Sequence, residues 1–335
     1  VSATSYDTSK INAAYSKVVE YYKNNNNLNN ADKILAVESL GLEAESNQFD
    51  TASANLSSTS LSKKIVTEVL LGVDPTEDKK TLESQIDENG NVEGSWGASS
   101  DVWTLYALYV TSSEKTNLIA NKLNDELAAS SVCGYEWGGT YYADYDTTGW
   151  VIEGLAVVNK EKYATTINKA IDYIKNNTTM TTTGWVTADN VDTQSQVLEG
   201  MFAYDTNALL NDSYTVHPVD CLLNTQLSDG SFPSGYNAEY TTAEVAKTLG
   251  TYKNGSVIIK AKKAYDKMMN PEQPDNTKPA QPTDTKKDSQ STNKVETTNQ
   301  KTTSVKTGDE TNVVIFVSLS MVSGGLFLVL RKEYE

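Results

Sequence analysis

An internal repeat constrains the fold of this chain more than any other feature of its sequence. A short pattern, an apolar residue followed by Glu, a small residue and Leu or Met, occurs at Val37–Leu40, Ile152–Leu155 and Leu198–Met201. Degenerate copies lie at Leu105–Leu108 and Ala246–Leu249, so the later copies start 47, 46 and 48 residues apart. A period of this length indicates one supersecondary unit repeated along the chain.

Each unit is predicted to contribute two helices. The repeated pattern lies in one of them, and a fainter helix over Ser62–Gly72 brings the number of these helices to six. A second amphipathic helix, with apolar residues three or four positions apart as at Ile167, Ile171 and Ile174, completes the unit. The second helices are predicted at Asn12–Tyr22, Lys79–Ile86, Thr116–Leu127, Tyr163–Asn176, Pro218–Leu227 and Val257–Met269.

Six inner and about six outer helices that alternate in this way predict an all-α fold, an α/α toroid of about six helical hairpins. The toroid is expected to span residues 9–269. Asp146 and Asp192 precede polar or small residues that open a helix, so we expect both to be N-caps.

The turns before the inner helices carry a family resemblance. They read Glu93-Gly-Ser-Trp96, Gly134-Tyr-Glu-Trp137, Gly184-Trp185 and Asp229-Gly-Ser-Phe232. Such a turn before an apolar helix ending in Leu resembles the repeat of prenyltransferases and squalene cyclases. Leu40-Gly41 and Leu71-Gly-Val-Asp-Pro75 are more similar to the bacterial surface branch of that family, which is related to transcobalamin and intrinsic factor. Trp96, Trp185 and Phe232 recur with the repeat, so we expect them to pack beneath their turns.

In such a ring all inner helices run in the same direction, so their N-termini and the preceding turns form one mouth. A concave mouth is the natural ligand site of this fold. Aromatic residues that do not recur, together with acidic residues beside them, favour stacking against sugars or another planar ligand, although they could equally be surface residues of the turns without a role. The candidates are Tyr141, Tyr142, Asp144, Tyr145, Tyr236 and Tyr240.

The inner helices are not apolar on every side, because each carries a polar or aromatic pair three residues apart. Residues at this spacing share one helix face, so we expect them to line the lumen of the ring. The alternative is that they face solvent through gaps between outer helices. The pairs are Trp103 and Tyr106, Trp150 and Glu153, Gln196 and Glu199, and Glu244 and Lys247.

Three functions remain open for such a toroid. The first is a non-enzymatic ligand-binding or adhesion module, without a cofactor or metal, whose partner is a glycan, another extracellular ligand, or a host or neighbouring protein. The second is a carbohydrate-active enzyme of the cell surface, a glycosidase or lyase, in which Glu153 and Glu199 serve as general acid and base. The third, corrinoid binding, is implied only by the family resemblance. No catalytic residue is assigned.

The charge of the chain excludes nucleic acid as the expected partner. The sequence has 28 basic and 44 acidic residues, and residues 1–270 alone have 20 and 35, a net charge of −15. An acidic surface repels phosphate backbones, and no run of lysines compensates. His217 is the only histidine, so a multi-histidine metal centre is impossible; Pro218 after it is expected to open a helix.

The C-terminal part predicts attachment to a bacterial surface. Residues 270–306, rich in Pro, Thr and Lys, are expected to form a disordered wall-spanning linker. Residues 313–330 are 18 uncharged, mostly apolar residues that could cross a bilayer, and Arg331 and Lys332 after them place that end in the cytoplasm. The protein is therefore expected to be extracellular, with a single-pass membrane precursor.

Residues 304–335 together resemble the sorting signal of Gram-positive wall-anchored proteins. The order of Lys306-Thr307-Gly308-Asp309, an apolar span and a basic tail is shared, whereas Ser304-Val305 replaces the usual Leu-Pro. The resemblance implies that sortase cuts between Thr307 and Gly308 and joins Thr307 to peptidoglycan. Small residues in Val1–Ala3 are consistent with the end of a signal peptide, so residues 1–8 are expected to be an N-terminal extension.

Cys133 and Cys221 are the only cysteines, and an extracellular compartment would permit a disulfide between them. Two unpaired, buried thiols are the favoured prediction, with a bridge as the alternative.

Overall fold

The computed structural model describes residues 5–45, 56–179, 181–182 and 190–271, which lie in one compact unit, Val1–Pro271. These residues are mostly helical, as the all-α prediction requires. The strands β1 (Gly134–Trp137) and β2 (Thr140–Ala143) form one antiparallel hairpin. The helices are α1 (Thr8–Asn24), α2 (Ala31–Ser39), α3 (Ser58–Leu70), α4 (Thr76–Ser84), α5 (Ala98–Val110), α6 (Thr116–Ser130), α7 (Tyr145–Asn177), α8 (Val191–Asn211), α9 (Pro218–Leu223), α10 (Ala238–Asn254) and α11 (Val257–Met269).

Two long helices are interrupted in the middle. Asn159 in α7 and Asp205 in α8 have extended backbone angles, with φ of −164° and −157°. Each also caps the helical segment that follows it: Asn159 Oδ1 accepts from the backbone N–H of Lys162, and Asp205 Oδ1 accepts from that of Ala208. Each long helix is thus two helices joined at a capping residue.

The predicted N-caps of α7 and α8 are wrong by two residues. Asp144 Oδ1 accepts from the backbone N–H of Thr147, and Asn190 Oδ1 accepts from that of Thr193, both at 3.2 Å. Asp146 and Asp192 instead lie in the first turns of these helices. A carboxylate in the first turn is stabilised by the positive end of the helix dipole. Asp146 and Asp192 therefore mark the starts of their helices, although neither is the N-cap.

Six helical segments follow one another in space in the order in which they follow one another in the chain. Helix α2 contacts α3, α3 contacts α5, α5 contacts α7, α7 contacts α8, and α8 contacts α10. Helix α10 then contacts α2, so the first and last members of the series are also neighbours. Helix α5, in the middle of the series, has 11 of its 13 residues buried.

The small residue of the repeated pattern faces the preceding helix of this series. Ser39 Oγ donates to the backbone oxygen of Ala246 in α10, and Thr248 Oγ1 donates to that of Ser195 in α8. Gly200 in α8 lies directly against the backbone of Gly149 in α7. The small position of the repeat is therefore explained by close helix packing.

The remaining helices pack outside this series, except one. Helix α4 packs on α3 and α5, α6 on α5 and α7, and α9 on α8 and α1. The prediction that Val257–Met269 is one of the outer helices is wrong. Helix α11 contacts four members of the series, α10, α2, α3 and α5, whereas α4 and α6 each contact two members and α1 and α9 each contact one. It therefore lies across their ends.

The aromatic residues of the turns do not all pack as predicted. Phe232 is fully buried, as expected, but Trp96 is 85% exposed. Hydrogen bonds hold its turn instead: Ser95 Oγ donates to Asp101, and the backbone N–H of Trp96 donates to Ser100 Oγ. The indole is therefore not needed beneath the turn. Trp185 lies outside the described residues.

Cys133 and Cys221 are both unpaired and buried, which confirms the favoured prediction. Burial raises the pKa of the Cys221 thiol to about 11 and that of Cys133 further. Neither thiol is a nucleophile at neutral pH, because the reactive form is the thiolate.

The predicted linker, membrane span and sorting signal all fall in residues outside the described part of the chain. Among the helices that are described, none combines the length and apolar character needed to cross a membrane.

Candidate functional site

The structure brings together the polar and aromatic pairs of four inner helices. We call this group the central cluster, and every member is at most 7% exposed. Its members are Trp103, Tyr106, Trp150, Glu153, Gln196, Glu199, Glu244 and Lys247. The two residues of each pair therefore lie on one face of their helix, as predicted, and the four faces meet in the interior.

Aromatic rings form one side of the central cluster. Trp103 packs edge-to-face against Tyr106 and Trp150, with ring centroids 5.3 and 5.7 Å apart. The ammonium of Lys247 lies 5.3 Å from the Trp103 ring centroid, and that of Lys63 lies 4.5 Å from it. Two cations near one indole are favourable because its face carries negative potential.

Glu153 is held by hydrogen bonds to both carboxylate oxygens. Ser256 Oγ, at the start of α11, donates to Oε1 at 2.5 Å, and the Tyr106 hydroxyl donates to Oε2 at 3.2 Å. The same hydroxyl lies 2.8 Å from the backbone oxygen of Trp150. Burial raises the pKa of Glu153, while these bonds and the nearby Lys247 partly oppose the rise.

Lys247 is the counter-ion of the other two carboxylates. Its Nζ lies 3.0 Å from Glu244 Oε1 and 3.8 Å from Glu199 Oε2. Burial alone would lower the pKa of Lys247, but Glu199 and Glu244 raise it above its ordinary value. Burial also raises the pKa of Glu199 well above that of a free glutamate, and the charge of Glu153 adds to this. Three carboxylates therefore lie around one ammonium in the interior.

Four polar atoms of the central cluster lack a hydrogen-bond partner among the described residues. They are Trp150 Nε1, Gln196 Oε1, Glu199 Oε2 and Glu244 Oε1, and the two carboxylate oxygens have only the ion pairs with Lys247. The other end of the Gln196 amide is occupied, since Nε2 donates to Glu244 Oε2 at 3.1 Å and to the Tyr240 hydroxyl at 3.2 Å. Buried polar atoms of this kind are where water or a polar ligand is bound in folded proteins.

A second group of carboxylates lies where α7 and α8 begin. Burial raises the pKa of Asp146 to about 7, and the neighbouring Asp144 and Asp192 charges add to the shift. Burial raises the pKa of Asp192 to about 6. Thr193 and Thr241 give these two carboxylates hydrogen bonds that act in the opposite direction.

Because these folded-state pKa values are raised, the unfolded chain binds fewer protons than the folded one between about pH 4 and pH 7. Stability from this source is complete below about pH 4 and is lost as pH rises through 6 and 7.

We expect Asp146→Asn to raise the free energy of unfolding by about 1–2 kcal/mol at pH 7.5 and to have little effect at pH 4. Urea unfolding at the two pH values measures the difference. Asp87→Asn is the control, because hydrogen bonds from Asn91 lower the pKa of that exposed residue; an equal gain for both variants would contradict the assignment.

The predicted tyrosines of the mouth divide into exposed and packed residues. Tyr141 and Tyr142 lie on β2 and are 45% and 42% exposed, and Tyr236 is 54% exposed. Tyr145 and Tyr240 are half-buried, and Asp144 caps α7. The structure therefore unites Tyr240 with the central cluster, through Gln196, but leaves Tyr141, Tyr142 and Tyr236 outside it.

The hairpin presents a stacked pair of rings to solvent. Tyr135 on β1 pairs with Tyr142 on β2, and their rings stack at a centroid distance of 5.5 Å with an interplanar angle of 17°. Tyr135 is 37% exposed. Tyr141, on the other face of β2, donates its hydroxyl to the backbone oxygen of Val132 and so anchors the hairpin. We call Tyr135 and Tyr142 the tyrosine pair.

The sequence analysis missed two residues that complete the central cluster. Ser256 was missed because α11 was placed outside the ring. Lys63 was missed because α3 has the weakest copy of the repeat; its Nζ lies 2.9 Å from Asp32 Oδ1 and its side chain is 11% exposed. The available signal was the pair of lysines, Lys63 and Lys64, in the middle of this helix.

His217, the only histidine, is hydrogen-bonded within the protein through both ring nitrogens. Its Nδ1 accepts from the backbone N–H of Val219, and its Nε2 is 3.2 Å from the backbone oxygen of Leu209. The Nδ1 contact caps α9, which begins at Pro218 as predicted, and the Nε2 contact joins the ring to α8. Burial lowers the pKa of His217, so the ring is neutral. Within the described ranges, no group of three or more His, Cys, Asp or Glu residues could hold a metal ion.

Comparison with known proteins leaves the site to be interpreted from its own geometry, because no family model, no curated protein and no solved structure matches the chain.

Proposed function

We propose that residues 9–269 form an α/α toroid that binds carbohydrate without turning it over, and that the toroid is displayed on the surface of a Gram-positive cell. The toroid is supported by the neighbour order of the six inner segments, which returns from α10 to α2. It is also supported by Ser39, whose small side chain packs on α10 just as the later copies pack on their predecessors.

In such a toroid, the tyrosine pair lies at the mouth. The hairpin leads directly into α7, the turn with Trp96 leads into α5, and the turn with Tyr236 leads into α10. Because an outer helix returns the chain before each of these three segments, they all begin at the same end. The exposed aromatic rings therefore share that end.

The tyrosine pair is the single observation that carries the carbohydrate proposal. Exposed apolar groups that lie next to one another mark an interaction site more often than groups scattered singly over a surface. Two parallel phenol rings offer a flat apolar face to the C–H groups of a sugar ring, while their hydroxyls remain free to bond its hydroxyls. Neither ring is required to cover the core, since both are more than a third exposed.

The central cluster supports binding rather than catalysis. A general acid and base must reach the substrate, and Glu153 already has both oxygens occupied by Ser256 and Tyr106. Glu199 lies opposite an internal ammonium and is 2% exposed. These partners give the two carboxylates structural roles in the interior: Glu153 joins α7 to Ser256 and Tyr106, and Glu199 faces the Lys247 ammonium.

Replacement of the tyrosine pair tests the carbohydrate proposal. We expect Tyr135→Ala/Tyr142→Ala to weaken glycan binding about 30-fold, since the loss of two aromatic contacts of about 1 kcal/mol each removes about 2 kcal/mol. The measurement is binding of the full chain to an array of bacterial-wall, plant and animal glycans, followed by titration and product analysis of every hit.

The matched control is Ile259→Ala, because Ile259 is 36% exposed but lies on α11. Binding that survives in the double tyrosine variant would refute the tyrosine pair as the site. Cleavage products from a bound glycan would refute the non-enzymatic part of the proposal.

The surface location is tested separately at Thr307. The resemblance of residues 304–335 to a sorting signal supports covalent attachment to peptidoglycan. We expect Thr307→Ala to shift the protein from the wall fraction to the membrane fraction of a Gram-positive host. Digestion with a muramidase, followed by electrophoresis, distinguishes the two, because only wall-linked protein runs as a ladder of fragments. Thr303→Ala is the control, and a ladder that persists in Thr307→Ala would contradict the proposed attachment.

A further inference from the structure

A run of four asparagines lines a cavity of about 270 Å³ between the end of α1 and the starts of α2 and α10. We call it the asparagine cleft; its lining residues are Tyr21, Tyr22, Asn24–Asn27, Lys33 and Glu239. This volume is just below the range of about 300–1,000 Å³ usual for small-molecule pockets, so the cleft suits a small ligand.

The asparagines are arranged so that part of their hydrogen-bonding capacity is used by the protein. Asn24 Nδ2 donates to the backbone oxygen of Glu20, and Asn25 Nδ2 donates to that of Tyr21, which fixes both side chains at the end of α1. Their carbonyl oxygens remain acceptors. Asn26 and Asn27 are exposed, and no described residue bonds their side chains, so each offers both a donor and an acceptor.

An ion pair closes the other side of the cleft. Lys33 Nζ lies 2.8 Å from Glu239 Oε2 and also donates to Asn29 Oδ1 at 3.2 Å. The Lys33 side chain is only 12% exposed, whereas that of Glu239 is 67% exposed. The charges of the pair cancel, and both groups can still bond a neutral hydroxyl.

The apolar part of the cleft comes from two tyrosines at the end of α1. Tyr21 and Tyr22 pack edge-to-face with ring centroids 5.3 Å apart. Tyr22 is 4% exposed and forms part of the core, while Tyr21 is half-buried. A fixed aromatic surface, several amides and a neutralised ion pair are therefore present around one small cavity.

We propose that the asparagine cleft binds a single neutral sugar ring. A sugar hydroxyl donates and accepts hydrogen bonds at once, and the asparagine amide is the side chain that matches both roles. The ion pair leaves no net charge in the cleft, and the net charge of −15 on residues 1–270 repels acidic sugars. This inference takes its ligand class from the proposed function but assigns binding to other residues.

Saturation-transfer NMR on the full chain tests the cleft, with methyl glycosides of glucose, galactose, mannose and N-acetylglucosamine as probes. The detergent must lack a sugar headgroup. We expect at least one glycoside to bind, and Asn26→Ala/Asn27→Ala to weaken it about 10- to 30-fold, the loss expected for two hydrogen bonds. Asn207→Ala/Asn211→Ala is the matched control, because both residues are exposed and lie near the end of α8.

The double tyrosine variant separates this inference from the proposed function. If glycoside binding is lost in Asn26→Ala/Asn27→Ala but kept in Tyr135→Ala/Tyr142→Ala, the asparagine cleft is the binding site and the tyrosine pair is not. The reverse pattern supports the tyrosine pair and overturns the cleft. Absence of binding to all four glycosides also overturns the cleft.

Discussion

Lys247→Met is expected to lower the free energy of unfolding by about 3–5 kcal/mol at pH 7.5, the usual loss when one partner of a buried ion pair is removed. Lys247 is 2% exposed and is the nearest cation to both Glu199 and Glu244. Methionine fills a similar volume, so the loss measures charge rather than packing.

The pH dependence of the stability lost in Lys247→Met shows whether the loss comes from the unpaired carboxylate charge. Lys247 lowers the pKa of Glu199, which burial raises, so its removal would raise that pKa further. A raised folded-state pKa gives stability that is complete below the unfolded pKa and is lost as pH rises. The cost of Lys247→Met should therefore be larger at pH 7.5 than at pH 5, as measured by urea unfolding.

Two further variants make this prediction decisive. Lys260→Met removes a second lysine that is paired with a buried carboxylate, Glu38, but the Lys260 side chain is 44% exposed. We expect it to cost less than about 1 kcal/mol, because solvent screens that pair. Adding Glu199→Gln to Lys247→Met should recover part of the loss. Equal costs for Lys247→Met and Lys260→Met would show that the central cluster does not depend on its internal counter-ion.

Much of this architecture could be predicted because the repeat records local packing. The spacing of three between Trp150 and Glu153, or between Gln196 and Glu199, fixes a helix face without knowledge of the partner helix. The structure confirms that these faces meet. It also confirms the bounds predicted for the last helix, Val257–Met269, because its apolar spacing is strong.

The position of that last helix could not be predicted, because an amphipathic helix can pack on the outside of a ring or across its end with the same apolar face. Ser256 and Lys260 decide between the two, by bonding Glu153 and Glu38, and such contacts over 100 residues or more leave no periodic signal. The exposure of Trp96 was hidden for a related reason. Its turn is held by hydrogen bonds of the Ser95 and Ser100 hydroxyls, and serine is so common in turns that the sequence does not reveal these bonds.

A large loss of stability is also expected when a side chain is added at Gly200, the small residue of its repeat. A Cβ added to Gly200 would overlap the backbone carbonyl of Gly149 on α7, and a Cβ on Gly149 would overlap that of Gln196 on α8. Both obstacles are backbone atoms inside helices, so neither can move without separating α7 from α8. The close contact of these two helices therefore requires glycine on both sides.

We expect Gly200→Ala to destabilise the fold by about 3 kcal/mol, at the upper end of the cost of overpacking, even though alanine favours a helix by about 1 kcal/mol over glycine. For a domain of this size, that loss lowers Tm by about 8 °C. Calorimetry of the full chain measures it, and the same loss is expected for Gly149→Ala.

Gly154→Ala is the matched control, because it occupies the same position of the preceding repeat. The added Cβ would lie 3.1 Å from Leu105 Cδ2, the end of a side chain that can move. We expect its Tm to change by less than a third of the change at Gly200. If the two substitutions had the same effect, backbone contact between α7 and α8 would not be what selects the small residue, and the repeat would lose its packing explanation.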